Sequence, residues 1–174
     1  NNYGVGASNS PAQPICYQVD FNAVATGKVI AMSKRRIRWR FGFPNPEALA
    51  SGKSGIDCRG EEHDVSLVWS ITSGKKMLMS NGQQIYMGIT KSKIFEHVWR
   101  NKNGNTIKVS AQSNAPMTNA PGLRQYDLFV DGQSFFTLPK VYEVGLKGTG
   151  VGETRVPGQI SDADRTQLNH EEPQ

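Results

Sequence analysis

Between residues 65 and 87 the chain alternates apolar and polar positions with a period of two. Val65, Leu67, Trp69 and Ile71 fall on one side of an extended run and mostly polar residues on the other, the pattern of a strand burying one face. Asn81-Gly82 then supplies the two residues that tolerate positive φ in a type I′ turn, so a hairpin is predicted here. The same reading predicts strands over residues 15–21, 27–32, 34–43, 64–72, 75–80, 84–90, 94–100, 106–113, 125–130 and 134–138, the last continuing to 144. Ten strands joined mostly by short turns fit an all-β fold, an antiparallel β-sandwich, and not βαβ units. One helical turn is predicted over residues 45–50, with Asn45 as N-cap and Pro46 at the first helical position.

The periodicity fails at both ends. Residues 1–13 are small, polar and aperiodic and are expected to be a flexible lead-in; residues 148–174, with Gly148, Gly150, Gly152, Pro157 and Gly158, read as a tail or linker. The domain is thus expected over residues 14–147. Within the tail, Ser161 is a suitable N-cap, with Asp162 and Asp164 in the first turn of a short helix. A weak internal echo also appears: Val68-Trp69 stands five residues before Gly74 as Val98-Trp99 does before Gly104, and Asn81-Gly82-Gln83 resembles Asp131-Gly132-Gln133.

Composition narrows the class. A chain of 174 residues with 37% hydrophobic residues, 18 Gly and 9 Pro is expected to be one globular domain with long loops or tails. No apolar run approaches the roughly 18 residues of a membrane span, so none is predicted. The chain begins with Asn and not Met, so a fragment or a processed protein is expected. Cys16 and Cys58 have the number for one bridge but not for a disulfide framework, and free thiols in a reducing compartment are the expectation over a single bridge.

Charge singles out one strand. In Ser-Lys-Arg-Arg-Ile-Arg-Trp-Arg-Phe, starting at Ser33, alternation puts Arg36, Arg38 and Arg40 on one face and Arg35, Ile37, Trp39 and Phe41 on the other. Five positive charges lie between Lys34 and Phe41, which equals the formal net charge of +5 of the whole chain. Guanidinium groups about 6.8 Å apart suit phosphates or carboxylates. The competing structural reading is that the row faces acidic neighbours from Glu61, Glu62 and Asp64, or protects a sheet edge. Trp39 and Phe41 lie opposite the arginines, whereas a stacking platform for nucleic acid needs aromatics beside the cations.

Other chemistry is sparse. His63 beside Cys58, Glu61, Glu62 and Asp64 lacks the paired spacing of a zinc site and is expected in a solvated acidic turn. His97 alternates with Phe95 and Trp99 and so faces the core; His170 lies in the tail. Ser73-Gly74-Lys75-Lys76 lacks the preceding glycine of a phosphate-binding loop. No catalytic, cofactor-binding or metal-binding residue is therefore predicted, and no cofactor. Trp39, Trp69, Trp99, Phe95, Tyr126, Phe135 and Phe136 read as core, but adjacent Phe135 and Phe136 cannot share one face of a strand. Phe136 accordingly joins Arg36, Arg38 and Arg40 as a candidate partner contact.

The run from Val68 to Gly82, Val-Trp-Ser-Ile-Thr-Ser-Gly-Lys-Lys-Met-Leu-Met-Ser-Asn-Gly, followed by Phe-Glu-His-Val-Trp at Phe95 and Tyr-Asp-Leu-Phe-Val-Asp-Gly at Tyr126, resembles the Fas apoptotic inhibitory molecule family. The resemblance covers residues 64–136. It implies a compact antiparallel β-sandwich without an established catalytic centre, acting in the cytosol through protein contacts. The basic stretch 33–43, the loop 58–63 and the segment 135–142 depart from the family pattern, as in a divergent, lineage-specific branch. The expected function is a non-enzymatic, cytoplasmic protein-interaction module whose oligomeric state the sequence leaves open. Two alternatives stand beside it: binding of an acidic peptide, a phospholipid headgroup or nucleic acid through residues 34–41, and an enzyme or carbohydrate-binding sandwich with a loop-built site.

Overall fold

A computed structural model describes residues 16–30, 33–118 and 122–146. The predicted lead-in and the whole of the tail, with its short helix, lie outside these residues. Nine strands follow in order: β1 (Tyr17–Ala25), β2 (Lys34–Gly42), β3 (Glu62–Ser70), β4 (Lys75–Ser80), β5 (Gln83–Ile89), β6 (Ile94–Arg100), β7 (Thr106–Gln112), β8 (Tyr126–Val130) and β9 (Gln133–Ser134). The first five form one antiparallel meander and the last four a second, giving the sandwich the alternation predicts. Helix α1 (Pro46–Ala50) starts as expected, with Asn45 Oδ1 accepting from the N–H groups of Glu47 at 2.9 Å and Ala48 at 3.2 Å.

The core is the sum of the inward positions of both sheets. Ile37, Trp39 and Phe41 of β2, Val65, Leu67 and Trp69 of β3 and Leu78 of β4 meet Ile107, Val109 and Ala111 of β7 and Leu128 and Val130 of β8 in one buried cluster. A satellite cluster of Tyr17, Ala48, Cys58 and Val144 seats α1 against the end of β1. Cys16 and Cys58 are both free and buried, and belong to different clusters. Burial pushes the Cys16 thiol up to about 12, with the Asp131 charge adding to it.

Two hairpin turns are built alike. Asn81 and Gly82 have φ of 51° and 79°, and Asp131 and Gly132 have 48° and 82°, the double positive-φ geometry of a type I′ turn. Asn81 donates its N–H to Asp64 O at 2.8 Å and accepts the Asp64 N–H on Oδ1 at 2.9 Å; Asp131 does the same with Thr106, at 2.8 Å in both directions. The Asn-Gly-Gln and Asp-Gly-Gln echo therefore corresponds to one structural unit, β3-β4-β5 in the first sheet and β7-β8-β9 in the second. The tryptophan echo follows a different frame, since Trp69 lies on β3 and Trp99 on β6.

Two predicted strands are not strands. Residues 27–30 form the bend between β1 and β2, which pair directly with each other up to Ala25 opposite Arg35, so the Val29-Ile30 run falls in the reversal and is exposed. The bend is closed by Ser33 N–H on Ile30 O at 3.0 Å and Thr26 N–H on Lys34 O at 2.8 Å. Residues 135–137 wind into a 3-10 turn, because Thr137 Oγ1 donates to Ser134 O at 2.7 Å and Leu138 N–H to Phe135 O at 3.1 Å. A second 3-10 turn occupies Val141–Glu143 where the strand was expected to continue.

Candidate functional site

The basic row exists and splits in two. Ile37, Trp39 and Phe41 are at most 1% exposed on the inner face of β2, while Arg36 and Arg38 are exposed and Arg40 half-buried on the outer face. Arg38 holds Asp64 of β3 through Nε, at 3.0 Å and 2.9 Å from the two carboxylate oxygens, and through Nη2. The hydrogen bonds and charge of Asp64 raise the Arg38 guanidinium pKa further. Arg40 stands directly opposite Asp20 of β1 and Asp64 of β3. At this end, then, the row meets acidic neighbours, as the structural reading expects.

The other end of the row has a different surrounding. Arg36 lies opposite Val24 on β1 and Val68 on β3; Val68 lies opposite Met77 on β4, and Met77 opposite Met87 on β5. These five residues make one transverse line across the whole outer face. Val24 is 42% and Met87 54% exposed, while Val68 and Met77 are half-buried. Beside the line, Lys34 and Lys75 flank a depression of about 210 Å³ with Val68, Ser70, Ser73 and Met77. Among the described residues Lys34, Arg36 and Lys75 form no ion pair with a carboxylate. Their charge is therefore open to a partner.

Lys75, Met77 and Met87 escaped the sequence reading. The phase of β4 was the available signal: with Leu78 buried, period two sends Lys76 inward and Lys75 and Met77 outward. Phe136 is placed elsewhere. It is half-buried against the core, edge-on to Phe21 with ring centroids 5.0 Å apart, and covered by the Arg124 guanidinium 4.0 Å from its centroid. Phe21 sits opposite Trp39 on the inner side of the sheet, so Phe136 and the arginine row belong to different surfaces.

His63 corrects the expected solvated turn: it is 5% exposed, stacked on Phe41 with centroids 5.4 Å apart, because its place on β3 is an inward one. Asn81 Oδ1 is occupied by the Asp64 N–H, so Asn81 Nδ2 donates to His63 Nδ1 at 3.0 Å and the ring carries its proton on Nε2. Nε2 lies 3.3 Å from Glu61 Oε1, near it but without a hydrogen bond. Burial holds the His63 pKa below the ordinary range, outweighing the upward pull of Glu61. His97 faces inward and contacts Tyr86 and Trp99, with its pKa likewise lowered by burial.

Among the described residues no group of three His, Cys, Asp or Glu side chains converges to hold a metal ion, and no helix is long and apolar enough to cross a membrane. Comparison of the chain with protein-family models, with curated proteins and with solved structures found no match.

Proposed function

We propose that this domain is a non-catalytic, cytoplasmic protein-interaction module that takes an acidic, partly apolar segment of a protein partner on the outer face of the five-stranded sheet. The observation that carries the reading is the transverse line Val24, Arg36, Val68, Met77 and Met87, bordered by Lys34 and Lys75. The cations recognise carboxylates, and the adaptable thioethers of Met77 and Met87 pack against the partner's apolar side chains. Arg36 is the central contact, Arg38 is held by Asp64, Arg40 stands opposite Asp20 and Asp64, and Phe136 serves packing. The resemblance of residues 64–136 to the Fas apoptotic inhibitory molecule family agrees with a module working through protein contacts. Nucleic acid suits the face less well, since Trp39 and Phe41 are buried and offer no surface for bases to stack on.

The test is affinity capture from native lysate at two salt concentrations with the wild type and the Arg36→Glu/Lys75→Glu variant, thermal unfolding confirming that both are folded. The reading predicts partners that are lost in the variant and depleted at the higher salt. An unchanged partner set in the variant overturns it.

A further inference from the structure

The inner face of the same sheet carries cations where a core is normally apolar. Directly opposite one another across β2, β3 and β4 lie Arg35, Trp69 and Lys76, a tryptophan between two positive side chains. Lys76 is 1% exposed; its Nζ donates to Thr90 Oγ1 at 2.8 Å and Thr90 O at 3.2 Å and stands 4.7 Å from the Trp69 ring centroid. Arg35 reaches across the sandwich, donating from Nη1 to Ser113 O and, at 3.0 Å, to Tyr126 Oη, while its Nε is buried with no acceptor. Among the described residues neither cation has a carboxylate partner. Buried charges ordinarily require one.

Arg35 and Trp69, though not Lys76, border a cleft of about 280 Å³ at the end of the sandwich where the chain crosses from β5 to β6. Arg35 and Trp69 form its floor, and exposed Lys91 and Lys93 stand at its rim with Ser92 and Asn114. None of its described lining residues is acidic. We infer that this cleft is a binding site for a small, multiply charged oxyanion, of which a phosphate monoester is the compact representative. Lys91 and Lys93 attract it as point charges, Arg35 donates from its fixed fork, and the Asn114 amide is the neutral donor, the Ser92 hydroxyl being engaged with Ile94 O at 2.8 Å. The volume, just below the usual range of about 300–1,000 Å³ for ligand pockets, limits the occupant to a small molecule. Arg35 and Arg36 point to opposite faces of β2, so this site and the outer face stand or fall separately.

The experiment is a heteronuclear NMR titration at constant ionic strength with inorganic phosphate and with phenyl phosphate, sodium chloride serving as the reference salt. The expected result is saturable shifts confined to the Trp69 indole, residues 90–93 and residues 113–114. Affinity should fall at least about tenfold in the Lys91→Glu/Lys93→Glu variant, the loss of one or two charge-assisted contacts. Arg36→Glu, on the outer face, should leave it unchanged. Shifts that fail to saturate, that centre on Lys34, Arg36 and Lys75, or that persist with unchanged affinity in the rim variant would overturn the inference.

Discussion

Arg38 and Asp64 form a two-oxygen ion pair across β2 and β3, and the pair is held in place from behind because Asn81 Oδ1 accepts the Asp64 N–H. It divides one continuous basic row into a neutralised end and an open end. Releasing Arg38 should therefore extend the binding face. Asp64→Asn keeps the side-chain volume and the backbone contact with Asn81 while removing the charge. It is expected to strengthen binding of an acidic oligopeptide and to steepen its salt dependence, read by fluorescence anisotropy. Equal or weaker binding in Asp64→Asn would show that Arg38 lies outside the footprint.

Charge and apolar contact on this face should separate experimentally. Exposed charges act over about 10 Å at 0.1 M salt, so binding through Lys34, Arg36 and Lys75 falls as salt rises. Met87→Ser removes only apolar area from the far end of the transverse line. It should lower affinity for the captured partner at every salt concentration without changing the salt slope. An altered slope with unchanged low-salt affinity would contradict the assignment.

The turns offer a test of the repeated unit. A Cβ at Gly82 or Gly132 would meet nothing within 4 Å, so Gly82→Ala and Gly132→Ala isolate the cost of positive φ alone. Each should lose about 1 kcal/mol in chemical denaturation, and the double variant close to the sum. A neutral Gly132→Ala beside a destabilising Gly82→Ala would mean that the two turns do not bear the fold equally.

How much of this was legible in the residues depended on how local each signal was. Asn81-Gly82 and the alternation of Ile37, Trp39 and Phe41 are read within a few residues, and both hold in the structure. Residues 27–30 continue an apolar run, yet β1 turns back onto β2 with Ala25 opposite Arg35, so they fall in the reversal between the two strands. The Phe135-Phe136 pair resolves through a 3-10 turn nucleated by Ser134 and Thr137, a competition between side chain and ladder that periodicity cannot detect. Phasing hid the candidate site: Lys75 and Lys76 are adjacent and alike, and only the packing of Leu78 decides which one reaches the outer face.

Acid should loosen the sandwich through its inward-facing histidines, His63 buried and His97 half-buried. His63 is neutral with Nδ1 accepting from Asn81, and burial lowers its folded pKa below the unfolded value of about 6.5. Its contribution is therefore complete above pH 6.5 and is lost as pH falls from there through the folded pKa. Glu61 pulls that pKa up and Lys102 pushes it down, both less than burial does. His97 acts with the same sign. Unfolding free energies measured from neutral pH down to about pH 5 should fall less steeply in His63→Phe than in the wild type. Parallel curves would contradict the buried, neutral assignment.

Lysine reactivity in the captured complex tests the binding face most directly. Lys34 and Lys75 flank the depression on the outer face of the five-stranded sheet, whereas Lys108 lies on β7 of the other sheet. Acetylation of free and partner-bound protein, quantified residue by residue, should show Lys34 and Lys75 losing reactivity on binding while Lys108 keeps it. Unchanged reactivity at Lys34 and Lys75, or protection appearing at Lys108 instead, would contradict the account.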